Sequence, residues 1–331
     1  MDILKTLNTL NACFGPSGRE DEVREAIKKL AKPFADEMKT DAMGNLYVRK
    51  KGNGAKVMFS AHMDSIGVIA TVVEDEGFIR FGRVGGISPA TLLSSTVRFA
   101  NGTRGVVQKN EDAKLDKLTL QEMYIDIGVA NKEEALKHVQ PGDMAVYDAP
   151  SFLTPGGMIV SPYLDDRICC VAQLMALEKL KKTDNDVWFV FTVQEEVGLR
   201  GAKTAGYIVD PDYFVVCDVT WSDDTPKAEH FASSVTGKGA AIKIMDGSVI
   251  AHPQVVKLLN DIAKQKKIKV QQDVLKGGGT DAGAIHVSRA GVPSSGVSVP
   301  IRYCHYAQEM AALSDVEDTA KLLAAFAENK F

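Results

Sequence analysis

Residues 187–198 read VWFVFTVQEEVG, an unbroken apolar or β-branched run from Val187 to Val193 that passes directly into Gln194, Glu195, Glu196, Val197 and Gly198. A strand without polar alternation is buried on both faces, as in a sheet sandwiched between helices. Two carboxylates therefore stand where a buried strand ends. Working outward, helical spacing over Arg167–Lys182 precedes the run, and Leu199–Ala205 forms a short helix after it. Tyr213–Cys217 is a second buried strand that also ends on an acid, Asp218. Upstream, Val57–Ser60 runs into Ala61-His62-Met63-Asp64; downstream, Ser294–Val299 is followed by Arg302-Tyr303-Cys304-His305. Further helices are expected near the start, where Ile3, Leu4, Leu7 and Leu10 share a face, at His252–Lys267, and at Ser314–Asn329 behind a Ser314-x-x-Glu317 capping box. This alternation predicts an α/β fold: a mostly parallel mixed sheet covered by helices on both faces.

Between about Gly67 and Val160 the pattern changes to short strands (Val68–Val73, Phe78–Phe81, Thr96–Phe99, Gly105–Gln108, Tyr124–Ile127, Met144–Tyr147) separated by Gly, Asn and Asp, with Asn101-Gly102 as a tight-hairpin signal. The expected organisation is a catalytic domain of residues 1–66 plus 161–331 carrying an inserted β-rich domain, residues 67–160. The 331-residue length suits two such units. The net charge of -4 offers no basic excess for nucleic acid or an anionic membrane surface, and no apolar run reaches the roughly 18 residues of a membrane span. The first residues lack the basic start, apolar block and cleavage site of a secretory leader. Five cysteines, an odd number without a Cys-x-x-Cys, read as small core residues of a cytoplasmic protein.

The chemistry collects at strand ends. In open α/β sheets these ends converge on one crevice, so His62, Asp64, Glu195, Glu196, Asp218 and His305 are expected to share a site with Asp165-Asp166 at the start of the Arg167–Lys182 helix. Imidazole and carboxylate without thiolate suit zinc, cobalt or manganese in a hydrolytic site, with enough donors for two ions sharing a carboxylate. In His62-x-Asp64, alternation lets Asp64 hold the second imidazole nitrogen. The adjacent Glu195 and Glu196 would point apart, one to bind metal and the other to move a proton. Taken singly, each motif has an ordinary explanation: a hydrogen-bonded His-Asp pair, a solvated acidic face, a helix N-cap. Their joint placement at strand ends argues for a site.

These motifs, with Leu164-Asp165-Asp166-Arg167, Gly278-Gly279-Thr280-Asp281-Ala282 and Gly15-Pro16-Ser17-Gly18-Arg19-Glu20, occur in an order that resembles the M42 family of metallo-aminopeptidases. That family includes glutamyl aminopeptidases, tetrahedral aminopeptidases and proteins labelled endoglucanase M. The resemblance covers essentially the whole chain. It implies a zinc-exopeptidase-like fold with the insert serving in dimerisation, and two divalent ions (Zn, Co or Mn) per subunit. His62 and Asp218 would hold one ion, Glu196 and His305 the other, and Asp165 both. Glu195 would be the general base on a metal-bridging water, Asp64 would orient His62, and the Asp165–Asp166 peptide bond would be cis. Gly279, Thr280, Asp281 and Arg302 would lie near the substrate. Short peptides are the implied substrates, and a dimer or dodecamer the implied assembly.

Three departures bear on specificity and assembly rather than on metal ligands. Ser65 stands where relatives commonly carry Glu, Tyr306 where Ser is usual, and Lys109–Lys117 lacks a Pro-Pro-His-type stretch. The rival readings are a metal-dependent deacylase of a small amide, a non-catalytic scaffold, and an endoglucanase. The last is disfavoured because neighbouring glutamates do not straddle a glycosidic bond at the roughly 5–9.5 Å that glycosidases need.

Overall fold

The computed structural model describes residues 1–180 and 182–331. Lys181, within the expected helix Arg167–Lys182, lies outside the described residues. The decisive run forms the strand Asp186–Thr192, buried along its whole length. It pairs in parallel with Lys56–His62, in a register that sets Phe189 beside Phe59 and Thr192 beside His62. Lys56–His62 pairs in parallel with Tyr213–Val216, which pairs in parallel with Ser294–Arg302. These strands therefore end on the same side of the molecule.

The sheet is mixed, and parallel mainly at its centre. Glu37–Thr40 and Leu46–Lys50 form an antiparallel margin on Asp186–Thr192. At the other margin Ser294–Arg302 pairs antiparallel with Glu309–Ala312, which continues into Met158–Ser161 and Phe152–Leu153. Ala240–Met245 also runs antiparallel to Ser294–Arg302 and carries Val270–Val274 in parallel. The expectation of a mostly parallel sheet thus holds only for the core. The marginal links, such as Arg302 to Glu309, are too short for a crossover, which needs about a dozen residues or more.

Side-chain alternation divides the sheet's two faces. Val48, Val57, Phe59, Phe189 and Val215 pack with the helices Ile3–Asn11, Asp21–Ala31, Leu164–Lys179 and Leu313–Ala327. Tyr47, Met58, Trp188, Val190 and Phe214 face Arg200–Val209 and Ala282–Ile285. Each such side chain contributes about 1.5–3 kcal/mol on full burial. Leu164–Lys179 is buried nearly all round, which marks it as an interior helix rather than an amphipathic one. The expected capping box at Ser314 does not form. The strand Glu309–Ala312 runs straight into helix Leu313–Ala327, so Ser314 already lies inside the helix, and no side chain caps it.

Six strands, Gly67–Val73, Ile79–Val84, Met123–Asp126, Arg104–Lys109, Thr96–Phe99 and Met144–Tyr147, close in that order into a barrel. Its separate core includes Val68, Ile79, Phe99, Val107, Ile125 and Ala145. At the Asn101-Gly102 hairpin the Thr103 amide donates to Asn101 Oδ1, and Gly102 takes φ 88°, which a side chain would strain. The barrel's strands end at Tyr147, whereas Phe152–Leu153 and Met158–Ser161 pair on the large sheet; the expected boundary at residue 160 therefore falls within a strand of that sheet.

Candidate metal centre

His62 is the last residue of its strand, Glu195 and Glu196 follow Asp186–Thr192, Asp218 follows Tyr213–Val216, and His305 follows Ser294–Arg302. Asp165 enters from the start of Leu164–Lys179, where Tyr163 is left-handed and the Asp165–Asp166 bond is cis. All of these line one cavity of about 330 Å³.

The Asp165 carboxylate stands between the two imidazoles. Its Oδ1 is 3.0 Å from His62 Nε2 and its Oδ2 is 3.2 Å from His305 Nε2. Glu196 Oε1 lies 3.4 Å from His305 Nε2, Asp218 Oδ1 4.0 Å and Glu195 Oε2 3.9 Å from His62 Nε2. The two glutamates point apart, toward different imidazoles, but not by strand alternation. The backbone turns at Gln194 (φ 54°), with Gly198 N–H donating to Glu195 C=O, so the separation comes from a turn and not from strand alternation.

Crowding of charge sets the protonation tendencies. Burial and neighbouring carboxylates push Glu195, Glu196 and Asp218 above the usual carboxylate range. Burial opposes ionisation of Asp165 as well, but hydrogen bonds from His305 and His62 outweigh it and hold this carboxyl well below that range. Burial disfavours both imidazolium forms, yet the adjoining acids, with Cys304 beside His305, push both histidines up. Glu196 Oε1 is buried with no hydrogen-bond partner. Mutually repelling acids, an orphaned oxygen and two imidazoles around one carboxylate fit divalent cations. His62, Asp165 and Glu196 form one group able to hold an ion, and Asp165, Cys304 and His305 another.

Surrounding residues fix this arrangement. His305 Nδ1 faces the Gly86 carbonyl at 2.8 Å, an acceptor from the barrel. Glu309 receives the Asp165 amide at 2.9 Å and the His305 amide at 2.7 Å, and burial beside Asp165 pushes it up to about 8. Asp166 Oδ2 receives the His62 amide at 3.0 Å; the residue also groups with His62 and Asp218 as a possible ion ligand, but it does not line the cavity. We read Asp166 as a support. Asp64 differs in emphasis from its expected role. His62 Nδ1 is closer to the Asp64 carbonyl oxygen, 3.1 Å, than to its carboxylate, 3.4 Å, and that carboxylate receives Ser17 Oγ and the amides of Glu195 and Glu196.

Gly279 and Thr280 line the cavity, while Asp281 and Arg302 stand outside its wall. Asp281 is buried behind it, accepting from Thr192 Oγ1 at 2.6 Å, and Arg302 is bound at 2.7 Å to both Asp224 oxygens. Cys304 is a correction: expected as a plain core residue, it lines the cavity with Sγ 3.3 Å from Asp165 Oδ2. Gly86 and Glu309 are not singled out by the sequence, and Ser17 is named only within the Gly15–Glu20 motif, without a role. The spacing His305-x-x-x-Glu309 was the one local signal, and a weak one.

The chain matches the model of the M42 glutamyl aminopeptidase family over residues 44–322. It is 46% identical to a putative aminopeptidase of Acetivibrio thermocellus over 325 residues, covering 97% of each chain. Among solved structures, aminopeptidase APDkam598 from the archaeon Desulfurococcus kamchatkensis superposes with a TM-score of 0.94 at 39% identity, covering 98% of this chain and 94% of that one. The TET1 peptidase of Pyrococcus horikoshii, described as assembling into a tetrahedron or a large octahedral shell, gives 0.89 at 34% identity, covering 98% and 99%.

Proposed function

The chain belongs to the M42 glutamyl aminopeptidase family, and from that premise we propose that it is a two-metal-dependent aminopeptidase removing N-terminal residues from short peptides. The observation that carries this reading is the Asp165 carboxylate, one oxygen toward His62 and the other toward His305. His62 and Asp218 would hold one divalent ion (Zn, Co or Mn), Glu196 and His305 a second, and Asp165 both. Bound there, such ions supply Lewis acidity toward the scissile carbonyl and lower the pKa of water.

Glu195 is the general base in this reading. Its carboxylate is raised by burial, which brings it toward the working range of a proton carrier. It removes a proton from the attacking water as the oxygen–carbon bond forms, then delivers that proton to the departing amine as the carbon–nitrogen bond breaks. Asp64 holds the backbone of both glutamates in place. The large sheet with its helices, including the strands Phe152–Leu153 and Met158–Ser161, acts as the catalytic part, and the barrel from Gly67 to Tyr147 as an insert through which copies of the chain assemble. No helix among the described residues is long and apolar enough to cross a membrane. Five free cysteines suit a reducing compartment, and we place the protein in the cytoplasm.

The test is release from aminoacyl-p-nitroanilides after chelation and after add-back of Zn, Co or Mn. Metal-dependent release is expected. Glu195→Gln should lower turnover by about 10²–10⁴-fold with bound metal unchanged, whereas Asp165→Ala should lose the ions. Release that survives chelation, or full activity in Glu195→Gln, would overturn the assignment.

A further inference from the structure

The cavity has a second half that the metal ligands do not occupy. Leu199, Val219, Trp221 and Leu275 line it, and Gly278 and Gly279 add backbone. Among the described residues, the ionisable groups of the wall are the expected ligands, Glu195 and Cys304. Past the metal centre the wall therefore offers no fixed charge.

The apolar character is built by strand alternation. Val219–Trp221 begins directly after Asp218, and alternate residues share a face. Val219 and Trp221 line the cavity, while Thr220 turns into the protein and donates to Asp273 at 3.0 Å. One nearby cation, Lys243, is unavailable to a ligand, because it is buried with Nζ 2.7 Å from Asp273 and 3.8 Å from Asp246. The Thr280 hydroxyl is likewise committed, donating to Asp246 at 3.1 Å. Trp221 packs on Phe231 with ring centroids 4.8 Å apart, and Phe231 Cζ lies 2.7 Å from where a Cβ on Gly277 would be. The aromatic wall is thus seated by a residue that has no side chain.

We propose that this half of the cavity receives the side chain of the substrate's N-terminal residue and selects neutral apolar ones, such as leucine, methionine or phenylalanine, over lysine, arginine, aspartate and glutamate. This rests on the aminopeptidase reading above. A charged side chain entering here gives up water and meets no side chain of opposite charge, only the backbone of Gly278 and Gly279. An apolar one loses nothing on leaving water, and it covers the rim of Trp221, which is 44% exposed.

The experiment compares kcat/KM of the metal-loaded enzyme on Leu, Met, Phe, Ala, Lys and Glu p-nitroanilides. Leu, Met and Phe should exceed Lys and Glu by about tenfold or more, the scale that a few apolar contacts set. A preference for Lys or Glu would overturn this inference and leave the aminopeptidase standing; no release from any substrate would overturn both. Trp221→Ala should lower the Leu-to-Ala ratio of kcat/KM by about tenfold, mainly through KM for Leu, and Trp221→Phe should restore most of it. A uniform fall in kcat across the panel would mark Trp221 as merely structural and refute its part in selection.

Discussion

Truncation of Asp64 tests whether this carboxylate works chiefly by holding the turn that carries Glu195 and Glu196. Asp64 is fully buried, and its oxygens receive Ser17 Oγ at 2.6 Å, Glu195 N at 3.0 Å and Glu196 N at 3.3 Å. Burial alone would raise its pKa, but His62, Ser17 and the Glu195 amide outweigh that and hold it below the ordinary value. Its charge therefore favours the fold, a contribution present at neutral pH and lost as the pH falls through the depressed folded value. Asp64→Ala leaves two buried N–H groups unpaired, at about 1–3 kcal/mol each, so about 2–6 kcal/mol in all. In Asp64→Asn the carbonyl can face Glu195 N–H and the amide can face Ser17, whose hydroxyl accepts. Only Glu196 N–H then meets a donor, for about 1–3 kcal/mol. Urea unfolding of metal-free protein at neutral pH, followed by Trp188 and Trp221 fluorescence, keeps metal loss out of the comparison. Equal losses in the two variants, or an alanine variant as stable as wild type, would refute the reasoning.

Gly86→Ala places a Cβ 2.7 Å from His305 Cε1 and Nδ1, so the ring must shift off the Gly86 carbonyl. Zinc affinity by calorimetric titration should fall by about 10–100-fold, the usual effect of losing such a partner, and unchanged affinity would remove Gly86 from the site. Glu20 accepts from the Gly18 and Gln194 amides, and burial with the nearby Asp64 charge pushes it up to about 7. The folded state then holds this proton more tightly than the unfolded chain, so stability falls as pH rises through that interval and stays lower above it. Glu20→Gln keeps the acceptor oxygen and removes the titration. Wild type should lose on the order of 3 kcal/mol relative to the variant between about pH 5 and about pH 8; parallel stability curves would contradict the assignment.

The strands and the candidate site residues are legible because side-chain chemistry changes sharply at one residue: Ala61 to His62, Val193 through Gln194 to Glu195, Cys217 to Asp218. Sheet direction at the margins was harder to read, since apolar runs look alike in parallel and antiparallel pairing and only loop length separates them. Alternation places Asp64 near His62, and its carboxylate does lie 3.4 Å from His62 Nδ1, but the chain leaves the strand at His62 and the same carboxylate also receives the Glu195 amide of another loop. Ser314 carried a capping signature that a preceding strand made redundant. Glu309, Gly86 and Ser17 act through backbone or distant contacts, and Gly86 lies 219 positions from the imidazole it receives. No local pattern encodes that encounter; closure of the barrel against the large sheet produces it.

Gly85 and Gly86 follow the barrel strand Ile79–Val84 and lie close to residues that follow strands of the large sheet. A Cβ on Gly85 would lie 3.1 Å from Glu196 Cβ, and Gly86 receives His305. The barrel is therefore a lever with its tip in the candidate metal centre. A tilt of that separate core, whether from a bound neighbour or a change in its packing, would alter the aim of the His305 imidazole through the Gly86 carbonyl and the room beside Glu196. Excising the barrel to leave a minimal enzyme would remove the stop against which His305 rests.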